Sequence, residues 1–274
     1  MTTVLGIDPA WTPHNPSGVA ALVKQGPRWT CAGLAPSYGQ FIALSHGVAV
    51  DWAHPVAGTP DPSQLLRAAQ RLAGVAVGVV AIDMPISTSP ITARREADSK
   101  ASKAFARAKC ATHSPTRERP GKLSDRLSRD FASAGYDIAT VGMGGSSGRL
   151  FETYPHPALL SLMNGQERLK YKLSRTQKYW PDTPPAERRI RLVREWSRIL
   201  ERLGEVIGGI NLAIPSDDSV GSISLKELKG VEDALDALVC AWVATEFLAD
   251  NCDAYGDDTA AIWIPRRPRS WKAL

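Results

Sequence analysis

Two apolar segments of this chain each end in an aspartate followed closely by a proline: "TVLGIDP" at residues 3–9 and "VAVGVVAIDMP" at 75–85. The second is an almost unbroken run of Val, Ala and Ile. Such a run suits a strand covered on both faces, and therefore a central position in a sheet flanked by helices. A carboxylate at the end of a buried strand is costly unless its charge is compensated. Pro9 and Pro85 stiffen the exits from both strands. Asp8 and Asp83 therefore constrain the fold and the function together.

The surrounding punctuation gives an element order. "SGVAALVK" and "RWTCAGLA" read as second and third strands, close enough to the first for an antiparallel meander. "DPSQLLRAAQRLAG" reads as a helix capped by Asp61, opened by Pro62 and ended by Gly74, leading into the fourth strand. If strands one and four are neighbours, about 5 Å apart, their carboxyl ends bring Asp8 and Asp83 together, and one divalent ion can bridge them.

Helices are expected over 92–109, 123–136 and 184–207. In the last of these Ile190, Val193, Trp196, Ile199, Leu200 and Leu203 recur at spacings of three and four. "RLFETYPHPALLSLM" carries a short strand and a helix beginning near Pro157. A late helix ends at 250, its stable part beginning near Val231 because Gly230 weakens the start. "AAIWIP" is a final strand, followed by a basic tail.

With 274 residues, 43% of them hydrophobic and 22% charged, the chain can bury a full core and is not disordered. No apolar run is long enough to cross a bilayer. The start "MTTVLGIDPAW" lacks the layout of a signal peptide, so a cytoplasmic protein with no membrane partner is expected. Cys31, Cys110, Cys240 and Cys252 form no C-x-x-C pair, which argues against structural zinc and for buried, reduced thiols. The net charge of +5 is unevenly spread. Residues 94–129 and 168–203 each hold eleven Lys/Arg against four acidic residues, whereas 204–262 holds twelve acidic residues and two lysines. Basic surface beside a carboxylate-rich region suits a polyanion that must reach a metal. Two solvated helical faces would look the same.

Further carboxylates fit the same layout. Glu152 lies in "FETYPHP", before a Pro-rich turn. Asp233 and Asp236, three apart in "GVEDALDALVCAW", share one side of a helix, and either can be the helix ligand. Glu232 is expected to point elsewhere. Three or four carboxylates from separate elements suit octahedral Mg²⁺ or Mn²⁺. A pair of such ions can activate water and stabilise the leaving oxygen in phosphodiester hydrolysis.

At this point the chain resembles a known family, the domain-of-unknown-function 429 family, whose members are predicted nucleases of the ribonuclease H-like superfamily. The motifs are "GIDPAW" at 6–11, "AIDMPI" at 81–86, "KCATHSPTRER" at 109–119, "FETYPHPALL" at 151–160, "KYKLSRTQKYW" at 170–180 and "KGVEDALDALVCAW" at 229–242. They span nearly the whole chain. The resemblance implies an α/β fold: one ribonuclease H-like domain over 1–274, with a mixed five-stranded sheet flanked by helices. The implied order is strand-strand-strand-helix-strand-helix-strand-helix. Two largely helical insertions, roughly 92–148 and 165–220, exceed a minimal domain of that kind. Asp8 and Asp83 would match the first- and fourth-strand acidic positions, Asp233 or Asp236 the last-helix position, and Glu152 a supporting ligand or shaping residue. The implied activity is metal-dependent hydrolysis of nucleic acid. A nucleotide-dependent phosphotransferase or ATPase of the same superfamily is the alternative, and a noncatalytic nucleic-acid-binding or scaffold protein the third reading.

Candidate phosphate or substrate contacts are His113, Arg117 and Arg119, in a loop stiffened by Pro115 and Pro120, and Lys172, Arg175 and Lys178 in the second basic stretch. Tyr171, Tyr179 and Trp180 interleave with the latter, for base stacking or simple packing. A Cys110–His113 nucleophile pair lacks an evident third orienting residue. His156 is either second to Glu152 or structural. "GMGGSSGR" at 142–149 lacks the P-loop order and reads as a hinge; in a phosphotransferase it would contact phosphate.

Overall fold

The structure, a computed structural model, describes residues 1–12 and 14–267. The basic tail, from residue 268 onward, lies outside the described residues. The opening follows the local signals: strands β1 (Thr3–Asp8), β2 (Gly18–Gln25) and β3 (Arg28–Ala35), then a short helix α1 (Tyr38–Leu44). Helix α2 (Pro62–Ala73) is capped as expected by Asp61, which accepts from the Gln64 N–H, and stops at Gly74 with φ +73°. Strand β4 (Val77–Ile82) follows. After it come α3 (Glu96–Ala104), α4 (Gly121–Ser133), β5 (Asp137–Ile138), β6 (Arg149–Thr153) and α5 (Pro155–Leu162). The chain closes with α6 (Thr176–Tyr179), α7 (Pro185–Val206), β7 (Ile207–Gly208), α8 (Leu225–Leu248), β8 (Cys252–Gly256) and β9 (Ala261–Pro265).

These strands form one mixed nine-stranded sheet in the order β7-β3-β2-β1-β4-β6-β9-β8, with β5 beside β6. The expectation of five strands is therefore too small. Five contiguous strands, β3-β2-β1-β4-β6, carry the meander and the parallel pairs β1–β4 and β4–β6. The two insertions are built into the same sheet. Residues 92–148 supply α3, α4 and β5, and residues 165–220 supply α6, α7 and β7.

Alternation along the strands divides the core. Val4, Val79, Ala81 and Phe151 face α8, with α5 and α7 beyond it, where Trp196, Ile199 and Leu203 of α7 are buried. Leu5, Ile7, Val80, Ile82 and Leu150 face the opposite layer, among Phe41, Leu65, Leu127 and Phe131 of α1, α2 and α4. Helix α8 begins at Leu225, not near Val231. Ser224 caps it, and Gly230 is a close-approach position where a Cβ would stand 3.1–3.2 Å from Pro55 and Pro36. Helix α3 is shorter than expected, and α5 starts two residues before Pro157.

Helix α8 lies directly on the sheet. A Cβ on Gly6 of β1 would collide with the backbone of Ala237 and Ala241, and one on Gly18 of β2 with the Asp233 carbonyl. These two glycines let the acidic turn of α8 approach the end of β1.

Candidate active site

Parallel pairing matches Ile7 with Ile82, and the Asp83 N–H donates to the Ile7 carbonyl at 3.0 Å. Asp8 and Asp83 therefore leave adjacent strands at the same level. Because Ile7 and Ile82 face the α2 layer, alternation directs the next residue of each strand toward α8. Among the described residues neither carboxylate has a cationic partner within 4 Å. Burial, then Asp236 and Asp233, pushes the Asp8 carboxyl well above the usual range. Burial raises Asp83 to about 7 although Lys172 pulls it down.

The carboxylates of α8 differ because lysines hold them. Lys172 Nζ pairs with Asp236 and lies 3.9 Å from Glu232; the Tyr171 hydroxyl donates to Asp236 at 2.8 Å. Lys229, one turn earlier on α8, pairs with Asp233 and, at 2.9 Å, with Glu232, which also accepts from the Leu173 N–H. The expectation that Glu232 points elsewhere is thus corrected. Residues 171–173 of the second insertion cross this turn of α8 and give Glu232 its own donors. Burial would raise Glu232, yet Lys229, Lys172 and the Leu173 N–H bring it below its ordinary value. Burial carries Asp233 to about 7 despite Lys229.

Glu152 borders the same hollow as Asp8 and Asp83, and its charge helps to raise Asp83, but it is held by a cation of its own. Its neighbour Phe151 faces α8, so Glu152 faces the other layer. There Arg95 grips it with two hydrogen bonds, at 2.6 and 2.8 Å, and the Ile86 N–H donates to it at 3.0 Å. Arg95 also pairs with buried Asp98 at 2.7 Å and donates to the Ile86 carbonyl. Of the two roles considered for Glu152, shaping is the one these contacts describe, because they fasten the loop that leaves Asp83.

A cavity of about 430 Å³ opens over Asp8 and Asp83. Its rim carries Lys172, Arg168, Arg175 and His113. Arg117 and Lys178 are exposed and do not line it; Arg119 reaches only a neighbouring hollow. Burial and then Arg175, Arg168 and Arg119 hold His113 below its ordinary value, so it is neutral at pH 7. Buried His156 meets Arg168 through Nε2 rather than Glu152.

Several sequence expectations change here. Cys110 is fully buried, burial raises its thiol to about 11, and its Sγ donates to the Ala108 carbonyl at 3.4 Å, so it is no nucleophile beside His113. Tyr171 is fully buried under Asp236 and packs rather than stacking on a base. The glycine-rich 142–149 loop sits at the far end of β4, where the Gly148 N–H donates to the Gly78 carbonyl at 2.7 Å. Most α7 arginines do not face the site. Arg191, Arg198 and Arg202 pair with glutamates of their own helix and Arg194 with Asp217. Lys229, Arg95 and Arg168 escaped sequence reasoning. Only Lys229 carries a local signal, its spacing of three and four from Glu232 and Asp233.

The chain matches the family described as "Protein of unknown function (DUF429)" over residues 6–261. It belongs to the DUF429 family. No curated protein and no solved structure matches it. In this DUF429 chain, among the described residues, no three His, Cys, Asp or Glu side chains stand ready as a metal cage. The lysines on Asp233, Asp236 and Glu232 explain this for α8. Asp8 and Asp83 do fit a hard cation by their donor chemistry. They are two carboxyls on adjacent strands with no direct ion pair among the described residues, the partial set with which Mg²⁺ is held when water and substrate phosphate complete the shell. None of the described helices is long and apolar enough to cross a membrane.

Proposed function

We propose that this DUF429 chain hydrolyses phosphodiester bonds of nucleic acid with Mg²⁺ or Mn²⁺ held by Asp8 and Asp83. The observation that carries the reading is this pair of aspartates on adjacent strands, raised by burial, free of a direct ion pair among the described residues, and lining one cavity with Lys172, Arg168 and Arg175. The element order and the adjacency of strands one and four agree with the ribonuclease H-like arrangement that the sequence resemblance implies. When bound, the cation supplies Lewis acidity toward a phosphoryl oxygen and an acidified water. Arg168 and Arg175 meet the phosphate charge, and Lys172 fixes Asp236 and Glu232 so that they shape the electrostatics without needing the cation themselves. Neutral His113 can accept a proton at the rim.

The phosphotransferase alternative loses its expected phosphate contact. The loop's contact at Gly78 lies five residues of β4 from Asp83, about 16 Å away.

The test is calorimetric titration of Mn²⁺ into the wild type and the D8N/D83N variant, with and without a short oligonucleotide, followed by a cleavage assay with that ion. Saturable binding and cleavage, both lost in the variant, are expected. Binding or cleavage that persists in D8N/D83N, or that is absent from the wild type in every condition, overturns the reading.

A further inference from the structure

The cavity over Asp8 and Asp83 continues past its rim. A second hollow of about 500 Å³, lined by Trp11, His113, Ser114, Thr116 and Arg119, shares Trp11 and His113 with the first. Trp11 stands three residues after Asp8 and is half-buried. Its loop is pinned where the Ala10 N–H donates to Oγ of buried Ser17 at 2.9 Å. Arg119 lies over the indole with its guanidinium carbon 5.7 Å from the ring, and His113 meets the same ring edge-on at 6.3 Å.

The wall opposite Trp11 is equally fixed. In a tight turn the Thr116 N–H donates to the Arg119 carbonyl at 2.8 Å, and the Arg119 N–H donates to Thr116 Oγ1 at 3.0 Å. The loop is tied to α3 and the segment before it. The Thr112 N–H donates to Ser102 Oγ at 3.0 Å, and Arg94 donates to Ser114 Oγ at 2.8 Å. An indole, a guanidinium and an imidazole around one rigid hollow form a surface for a flat aromatic ring. A phosphate alone would make no use of the indole, and an aliphatic ligand none of the arginine. A paired base keeps both faces stacked and its edge hydrogen-bonded, so it cannot enter.

We propose that this hollow is a subsite for an unpaired nucleobase adjoining the phosphate at Asp8 and Asp83, which makes the substrate a single strand, a strand end or a nucleotide rather than intact duplex. The placement of the phosphate rests on the function proposed above; the base subsite rests on Trp11, Arg119 and His113.

The experiment measures fluorescence anisotropy of a labelled eight-nucleotide single strand on the full chain, in EDTA so that no cleavage intervenes. The same strand as a blunt duplex, an abasic strand of equal length, and a mononucleotide competitor complete the set. The single strand is expected to bind at least tenfold tighter than duplex or abasic strand. Trp11→Ala weakens the single strand by about 5- to 150-fold, the range for one stacked base, Trp11→Phe retains most of the binding, and neither changes the abasic strand. Trp11-dependent competition by the mononucleotide supports a base carried by a nucleotide, and its absence supports one carried by a strand. No binding of the single strand, equal affinity of Trp11→Ala and wild type, or an equal loss on the abasic strand overturns the proposal. Should Trp11→Ala fail to fold, Arg119→Ala carries the test, with a loss of at least threefold confined to the base-bearing strand. Trp11 dependence without Asp-dependent Mn²⁺ binding would leave the base subsite standing and the hydrolytic reading fallen; the reverse result would do the opposite.

Discussion

Asp83 shows how a residue chosen for chemistry works against the fold that holds it. Its carboxyl is raised from 3.8 to about 7, chiefly by burial. Between those values the folded chain holds a proton that the unfolded chain has released. The stability this contributes is therefore fully present below about pH 4 and is lost as pH rises through 7. Neutral Asn avoids that loss. Asp83→Asn is expected to melt higher than the metal-free wild type, by a margin that widens from pH 5 to pH 8, while losing Mn²⁺ binding. Thermal melts of both proteins across that range check it, and a margin independent of pH would contradict it. The position of Asp83 was readable in the sequence, since an apolar run ending in Asp-Met-Pro is a local pattern. Its lack of a direct cationic partner was not, because Lys172 is drawn to Asp236 from a segment far away in the chain, while Lys229 pairs within α8.

Helix α8 and strand β1 meet backbone to backbone, so the closeness of Asp233 and Asp8 depends on having no side chain at Gly6 and Gly18. Gly6→Ala places a methyl against the Ala237 carbonyl and the Ala241 nitrogen, neither of which can rotate away. Overpacking of this kind costs about 1–3 kcal/mol, more where backbone must move. Urea denaturation is expected to register at least that loss, and an unchanged midpoint would show that α8 shifts freely. Strands β1 to β4 and helices α2 and α7 were legible because alternation, caps and three-four spacing are local. The start of α8 was misread for a physical reason: Gly230 looks like a helix weakener, yet its missing Cβ admits Pro36 and Pro55. The face of Glu152 follows from period-two alternation once Phe151 is known to face α8, which sequence alone did not supply.

The whole molecule is held at its site by the second insertion, which sends Lys172 onto Asp236 and Glu232. Lys172→Met leaves buried charge without its partner and is expected to cost about 3–5 kcal/mol in denaturant unfolding. Adding Asp236→Asn should restore part of it, since the stranded charge leaves with the substitution. Equal stability of the single and double variants would break the argument. Length, the double Ile-Asp motif and the capped helices were enough to give an α/β chain with two strands that each end in an aspartate, because each signal acts within a few residues; that the two strands are neighbours was a condition the tertiary structure met. The nine-stranded sheet, the lysines on α8, the burial of Cys110 and Tyr171, and the hollow shared by Trp11 and His113 were decided by tertiary structure. Apart from the pairing of Lys229 within α8, each depends on contacts between segments tens of residues apart, where no local preference encodes which group meets which partner.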